Sequence, residues 1–422
     1  MKKTKNKNIN INDILSLIAG LLGPFYVEII GQFYLSEILL IFIFPIILIN
    51  KKNKLYNLKY YKQIILFGII WLFGQILSDF INITPFDDML RGWASIIIFL
   101  IGIVSLYLLL ENNYRRIKIF IVSYIISGIF VNFIQPSPYF QAEPWKFRFG
   151  TPISILLFLL VIILGQGQLS RMSKWAWLLL LLGVVSFYLN SRSLGGMILL
   201  CGLILWMRGN PLFKNILINI HPQKALITGI LLLVIIYGIL IGYVYTVQNG
   251  YLGEEAKAKF EIQYNGSLVG LILGGRAEIL GAIPAIIDSP IIGHGSWAKD
   301  INYRLFLFKL SELGYPISTT YLNNTIYNSD LIPAHSHLTQ AWIWAGISGA
   351  IFWIWMLIFL IKTFIKTNNY PNQFYPLILF FCIGGIWDIL FSPFGAFVRL
   401  TWAFHLVVLM TVFDKTENKN YV

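Results

Sequence analysis

Runs of about 20 mostly apolar residues, separated by short polar connections, fill almost the whole chain. A helix of that length crosses a bilayer, because each residue adds about 1.5 Å and the hydrocarbon core is about 30 Å thick. Hydrophobic residues make up 57% of the 422 residues and charged residues only 12%, against roughly 25% charged in soluble domains. A soluble fold cannot cover that much apolar surface. The sequence therefore predicts an all-α integral membrane protein with about 12 transmembrane helices.

The predicted helices belong to one polytopic membrane domain that covers residues 1–422. We predict spans near 12–31, 33–50, 62–81, 91–110, 117–135, 151–167, 174–190, 194–208, 224–247, 338–363, 373–391 and 396–413. About two thirds of the Lys and Arg residues lie on the connections that share a side with the N-terminus. That asymmetry predicts that both termini are cytoplasmic.

The basic residues are spread along the chain and do not gather in one module. The formal net charge of +13 on its own invites a nucleic-acid partner. The Lys and Arg residues flank apolar runs, however, which is typical of membrane topology. Cys201 and Cys382 lie inside apolar runs, so neither a disulfide framework nor a thiolate metal site is expected. We predict a lipid bilayer as partner, and no nucleic acid.

One connection, residues 248–337, is far longer than the median loop of roughly 4–6 residues. The predicted topology makes this loop region extracytoplasmic. It contains a polar helical pattern over Glu254–Ile262. A second helical pattern, over Gly275–Ile287, is amphipathic, with its apolar residues on one face. We expect the second helix to lie flat at the membrane surface until the turn Asp288-Ser289-Pro290 ends it. Loops of this size usually carry function.

Three of the five histidines, His294, His335 and His337, belong to this loop region. His335 and His337 follow Pro333, at the mouth of a helix predicted to begin near Leu338. An imidazole there is suited to accept a proton from a hydroxyl group. The alternatives are an exposed loop histidine and a metal site. No carboxylate or further histidine completes a metal-ligand shell, so no metal is expected.

Arginines on the same predicted face are candidates to bind phosphate. Arg276 begins the interfacial helix, and Arg192 lies in a short turn. A guanidinium is always charged and forms two parallel bonds to phosphate oxygens, although a lone arginine also reaches lipid headgroups. Arg91 and Arg399, at other helix ends, rank below the first two.

Acidic residues near the predicted spans need an explanation, because an intramembrane carboxylate is costly without a partner or a polar cavity. These residues are Glu28, Glu37, Asp79 and Asp388. Glu278 is expected on the solvated face of the interfacial helix, with no further role.

Several of these motifs resemble the long periplasmic loop of the O-antigen ligase and O-antigen polymerase family. The matching stretches are GRAEIL over Gly275–Leu280 and DSPIIGHG over Asp288–Gly295. HSHLTQ over His335–Gln340, followed by Gly346 and Gly349, is similar to the family's His-Asn-x-x-Leu-Gln stretch and its glycines. The likeness covers roughly residues 174–363.

The sequence agrees with the family's motifs at one further point and differs from them at two positions. Ser191-Arg192-Ser193 is similar to the family's Ser-Arg turn. Ser336 stands where Asn is common, and Thr339 where an apolar residue is common. These departures leave open whether His335 or His337 is the base, while the spacing to the glycines favours His335.

The resemblance implies a GT-C-like membrane glycosyltransferase of the bacterial inner membrane that uses no cofactor and no metal. Its donor would be a glycan on undecaprenyl diphosphate, and its acceptor a lipid A core sugar or a lipid-linked glycan. His335 would take a proton from the acceptor hydroxyl, with His337 as the alternative base. The catalytic Arg276, together with the other arginines named above, would bind the diphosphate.

Two other functional classes are compatible with a polytopic chain. A transporter or flippase of lipid-linked glycans is expected to show repeat symmetry and charges at the bilayer midplane. Here the polar candidates crowd one face, and the single long loop breaks any division into two halves. A scaffold role gives no reason for arginine and histidine to border one cavity. The enzyme hypothesis is therefore preferred.

Overall fold

In a computed structural model, the described part of the chain is mainly α-helical. The structure describes residues 10–51, 59–111, 113–135, 141, 143–211, 213, 222–264, 276, 278–315 and 330–418. The first helices are α1 (Ile11–Leu22), α2 (Leu35–Lys51), α3 (Lys59–Ile81), α4 (Phe86–Leu110), α5 (Tyr114–Ile134), α6 (Gly150–Leu164), α7 (Leu169–Met172), α8 (Ala176–Tyr188) and α9 (Arg192–Gly209). The others are α10 (Pro222–Gln248), α11 (Glu254–Gln263), α12 (Glu278–Asp288), α13 (Ile301–Glu312), α14 (His337–Ala345), α15 (Ile347–Asn369), α16 (Tyr375–Phe391) and α17 (Ala396–Asn418).

Among the described residues, seven helical segments are long and apolar enough to cross a membrane. They are Tyr60–Ile81, Phe86–Leu110, Tyr114–Ile134, Trp145–Leu164, Leu169–Tyr188, Arg192–Gly209 and Ile347–Asn369. Helices α1, α16 and most of α2 and α17 are apolar but shorter. The helical content and these segments confirm the prediction of a helical membrane protein.

The first predicted span, 12–31, is wrong in its length. Helix α1 ends at Leu22, close to Pro24, which has no backbone N–H to continue the helical hydrogen bonds. The chain then forms an antiparallel hairpin of β1 (Tyr26–Glu28) and β2 (Gln32–Tyr34). This hairpin is also a small exception to the predicted all-α class.

A buried ion pair and its hydrogen bonds connect the hairpin to the helices. Arg399, which is 6% exposed, forms two 2.9 Å hydrogen bonds to the two carboxylate oxygens of Glu37. Its Nη2 also donates to the Gln32 carbonyl at 2.8 Å. At the tip of the hairpin, the Arg91 Nε donates to the Ile30 carbonyl. The costly carboxylate of Glu37 is thus paired with a cation.

Replacement of Glu37 by Gln is expected to destabilise the fold by about 3–5 kcal/mol, because it leaves the buried charge of Arg399 without its counter-ion. Thermal unfolding of the purified protein in detergent measures this loss. The matched control is Glu143→Gln. It breaks a 2.7 Å pair with Lys146, in which both side chains are partly exposed, and is expected to cost less than about 1 kcal/mol. Equal losses of stability in the two variants would contradict the stabilising role assigned to the Glu37–Arg399 ion pair.

The predicted span 338–363 is not one continuous helix. It breaks between α14 and α15 at Gly346, whose φ of 62° and ψ of −150° favour glycine. A Cβ atom at Gly346 would lie 2.0 Å from the carbonyl oxygen of Ile291. The break therefore depends on a glycine and on close approach of the loop region.

The Gly293-His294-Gly295 turn fills this break. The backbone N–H groups of His294 and Gly295 donate to the carbonyls of Ile343 and Trp344, at 2.6 and 3.2 Å. Gly293 has a φ of 81°, and a Cβ atom there would lie 2.6 Å from the Gly346 nitrogen. Carbonyl groups at the end of α14 that lack a helical partner are satisfied in this way.

Asp79 holds the same turn against α3. Its fully buried carboxylate accepts hydrogen bonds from the Ser296 N–H at 2.5 Å and the Ser296 hydroxyl at 2.9 Å. The indole N–H of Trp93 also donates to it, at 2.7 Å. A buried carboxylate needs such donors. Ser296 of the loop region thus provides the partner that a carboxylate at Asp79 was expected to need.

The loop region contains three described helices, of which two were predicted. Helix α11 matches the polar pattern, and α12 matches the interfacial one, although Gly275 and Ala277 lie outside the described residues. Ile283 and Ile287 on α12 are 48% and 69% exposed, but Leu280 and Ile286 pack against buried residues, and Gly281, Ala282 and Ala285 are buried. That α12 lies at the membrane surface stays a prediction. Helix α13 was not predicted. Small residues on α12 thus allow it to pack against α14.

Candidate functional site

His335 and Glu278 are in direct contact at one end of the bundle. The His335 Nδ1 lies 2.6 Å from a carboxylate oxygen of Glu278, and the two side chains are 32% and 20% exposed. In the tautomer whose Nδ1–H donates to the Glu278 carboxylate, Nε2 carries an acceptor lone pair. A partly exposed imidazole oriented by a carboxylate is the arrangement of a general base.

Local structure explains why these two residues meet. Glu278 is the first residue of α12, where the helix dipole favours a carboxylate. The extended segment before His335 is anchored by a hydrogen bond from the Ile332 N–H to the Ala298 carbonyl, at 2.9 Å. Ser336 caps α14 by accepting a hydrogen bond at 2.9 Å from a backbone N–H. The start of α12 and the start of α14 are thereby placed side by side.

Arg276 precedes Glu278 by two residues in the chain. Its guanidinium carbon is 5.9 Å from the centre of the Trp387 ring, within the range of a cation–π interaction. The carboxylate of Asp388 on α16 interacts electrostatically with it. The ring and the carboxylate restrict where the guanidinium lies. A fixed cation next to an oriented imidazole can stabilise negative charge that develops during a reaction.

His337 lies in a different environment from His335. It is completely buried, with its ring 4.7, 5.3 and 5.2 Å from the rings of Trp353, Phe394 and Trp402. Its Nδ1 is 2.5 Å from the Ser392 carbonyl, while Nε2 has no hydrogen-bond partner. Burial lowers the pKa of His337 to about 3. This imidazole stays neutral at physiological pH and packs as an aromatic side chain.

The other predicted phosphate ligands have separate surroundings. Arg192 begins α9, and its guanidinium lies 5.5 Å from the Tyr243 ring centre. Helix α9 packs against α16 with Met197 near Gly384, which places Arg192 at the same end of the bundle as Trp387. Arg91 and Arg399 hold the hairpin, as described above. The structure therefore places Arg276 two residues before Glu278, the partner of His335, and Arg192 on another helix, at the start of α9.

The contacts of Glu278, Trp387 and Asp388 were missed by sequence reasoning. Glu278 was assigned only to a solvated face, and 57 residues separate it from His335. No local pattern signals such a pair. A carboxylate two residues after a candidate arginine was the only available indication. Asp388 was noted as a costly carboxylate, without a partner.

Comparison of the chain with protein-family models and with curated proteins finds no match. Among the residues that the structure describes, no three His, Cys, Asp or Glu side chains are grouped as metal ligands would be. The functional hypothesis therefore rests on the resemblance of the loop motifs and on the contacts of His335, Glu278 and Arg276.

Proposed function

We propose that the chain is a membrane glycosyltransferase that moves a glycan from undecaprenyl diphosphate to a sugar hydroxyl. The observation that carries this proposal is the 2.6 Å contact between His335 and Glu278, with Arg276 two residues away along the chain. The site thus combines an oriented base with a cation. Glycosyl transfer from a diphosphate needs both, because a hydroxyl loses its proton while a diphosphate gains negative charge.

In the proposed reaction, Nε2 of His335 takes the proton of the acceptor hydroxyl. The acceptor oxygen forms a bond to the anomeric carbon of the donor, and the bond from that carbon to the diphosphate oxygen breaks. The electron pair of the broken bond stays on the diphosphate, and Arg276 stabilises this charge. Glu278 stabilises the imidazolium until its proton is released.

The proposal includes the setting that the sequence predicts. The chain crosses the bacterial inner membrane about 12 times, both termini are cytoplasmic, and residues 248–337 form a periplasmic loop with short interfacial helices. The enzyme acts in cell-surface polysaccharide or lipopolysaccharide biosynthesis. It is a ligase if the acceptor is a lipid A core sugar, and a polymerase if the acceptor is a lipid-linked glycan.

The direct test uses purified protein in detergent, an undecaprenyl-diphosphate glycan and each acceptor in turn, with and without EDTA. A new glycosidic bond that forms equally well in both conditions is the expected result. Movement of the lipid-linked glycan across a vesicle membrane, without a new bond, would support the flippase alternative. In a deletion strain, accumulated single repeats indicate a lost polymerase and accumulated long chains a lost ligase.

Glu278→Gln is expected to lower kcat by about tenfold or more and to leave KM nearly unchanged, because the neutral amide no longer stabilises the imidazolium. Steady-state transfer kinetics measure both constants. The matched control is Glu312→Gln, which removes an exposed carboxylate at the end of α13 in the same loop region. If Glu278→Gln lowers thermal stability but leaves kcat unchanged, Glu278 has only a structural role.

A further inference from the structure

Arg148 lies outside the site described above and is held by aromatic rings. It belongs to a five-residue π-helical turn, Trp145–Phe149, that leads into α6. Its guanidinium carbon is 4.7 Å from the centre of the Phe133 ring and 4.6 Å from that of the Phe149 ring. Its Nε and Nη2 atoms are buried and have no hydrogen-bond partner in the structure. A cation is thus fixed in place with part of its hydrogen-bonding capacity unused.

The turn that carries Arg148 is firmly anchored. The indole N–H of Trp145 donates to the Ser186 hydroxyl on α8 at 3.2 Å. Gly150 packs so closely that a Cβ atom there would lie 2.6 Å from the Trp145 carbonyl and 2.7 Å from a Leu194 methyl group. Irregular π-helical turns are frequent at functional sites. The position of Arg148 is therefore set by the fold.

Neighbouring acids do not neutralise Arg148 within the described part of the chain. Glu143 is paired with Lys146 at 2.7 Å, and Lys146 packs over the Phe147 ring at 4.5 Å. A guanidinium N–H that lacks both water and an acceptor is unfavourable, more so than a neutral group would be. An anionic ligand would supply the missing acceptors.

The surroundings of Arg148 indicate where that anion comes from. The segment Trp145–Leu164 is a candidate span, and Arg148 lies in its first turn, where lipid headgroups are expected. Phe130, Phe133 and Ile134, at the end of α5, are 59%, 71% and 65% exposed. Apolar side chains so exposed on a membrane helix face lipid. The Phe133 ring, which contacts the Arg148 guanidinium, lies at this surface.

We propose that Arg148 binds the phosphate group of a membrane lipid at the lipid-facing end of α5. The planar fork of arginine matches two phosphate oxygens, and the rings of Phe133 and Phe149 keep the guanidinium in one orientation. A phospholipid headgroup and a polyprenyl diphosphate both offer this chemistry. The inference does not depend on the glycosyltransferase proposal.

Binding can be measured with full-length protein in detergent, titrated with phosphatidylglycerol or with undecaprenyl diphosphate and followed by native mass spectrometry. Arg148→Gln is expected to bind the preferred lipid about tenfold more weakly than the wild type, as for the loss of a charge-assisted hydrogen bond. Lys146→Gln, on the same turn, is the matched control and should bind as the wild type does. Competition between the two lipids identifies the source of the phosphate.

Phe133→Ala provides a second variant, because this exposed ring is not needed for the fold. It should weaken lipid binding without a change in thermal stability. Unchanged lipid affinity in both Arg148→Gln and Phe133→Ala would overturn the proposal. An equal loss in Lys146→Gln would also overturn it, since the surface would then attract lipid only by its general positive charge.

Discussion

Replacement of His335 by Ala is expected to lower kcat for glycan transfer by about 10²–10⁴-fold, the usual contribution of a general base. The variant should insert in the membrane and unfold near the wild-type temperature, because the His335 side chain is 32% exposed. Transfer kinetics in detergent, normalised to folded protein, measure the loss. The activity that remains would come from the binding of donor and acceptor alone.

A double variant sharpens this prediction. If Glu278 acts only through His335, then adding Glu278→Gln to His335→Ala should cause little further loss, because residues that act as one unit are not additive. A large additional loss would show an independent role for Glu278. If His335→Ala keeps the wild-type rate, the base is assigned to the wrong residue.

The pH profile separates the two candidate histidines. Since burial lowers the pKa of His337 to about 3, its protonation cannot cause a change in rate between pH 5 and 8. Any acid limb in that range that disappears in His335→Ala is therefore due to His335. An acid limb that persists in the His335 variant, but is lost in a His337 variant, would favour the alternative base.

The fold class and two of the three described loop helices, α11 and α12, could be predicted because local sequence encodes them. The interfacial helix is visible in the spacing of Ile283 and Ile287, and the Asp288-Ser289-Pro290 turn marks its end. The break at Gly346 could not be predicted, because glycine is common inside membrane helices. Whether the helix breaks there depends on the Ile291 carbonyl, which comes from a distant part of the chain.

The types of residue in the candidate site could be predicted from the sequence, but the contacts between them could not. A histidine after a proline and an arginine at a helix start were evident, and their catalytic roles stay predictions. The contact between Glu278 and His335 depends on how α12 packs against α14. Likewise, the sequence ranks Arg399 below Arg276, but it does not show that Arg399 forms a buried ion pair with Glu37 or that Arg276 contacts the Trp387 ring. Tertiary packing alone determines these contacts.

Arg276→Ala is expected to lower kcat by about 10²–10³-fold, the range for removal of one group that stabilises transition-state charge. KM for the donor should rise as well, because the guanidinium also contacts the diphosphate before reaction. Arg276→Lys should recover only part of the rate, since a lysine keeps the charge but lacks the planar fork. Transfer kinetics with one donor at varied concentration provide both constants.

The control for this prediction is Trp387→Leu, which removes the ring beside the guanidinium but leaves its charge. If Arg276 acts where we propose, this variant should show a smaller loss of kcat than Arg276→Ala, because the cation remains but is less well positioned. A rate within about twofold of the wild type for Arg276→Ala would mean that the diphosphate is stabilised elsewhere. Arg192, at the start of α9 with its guanidinium over the Tyr243 ring, would then be the next residue to replace.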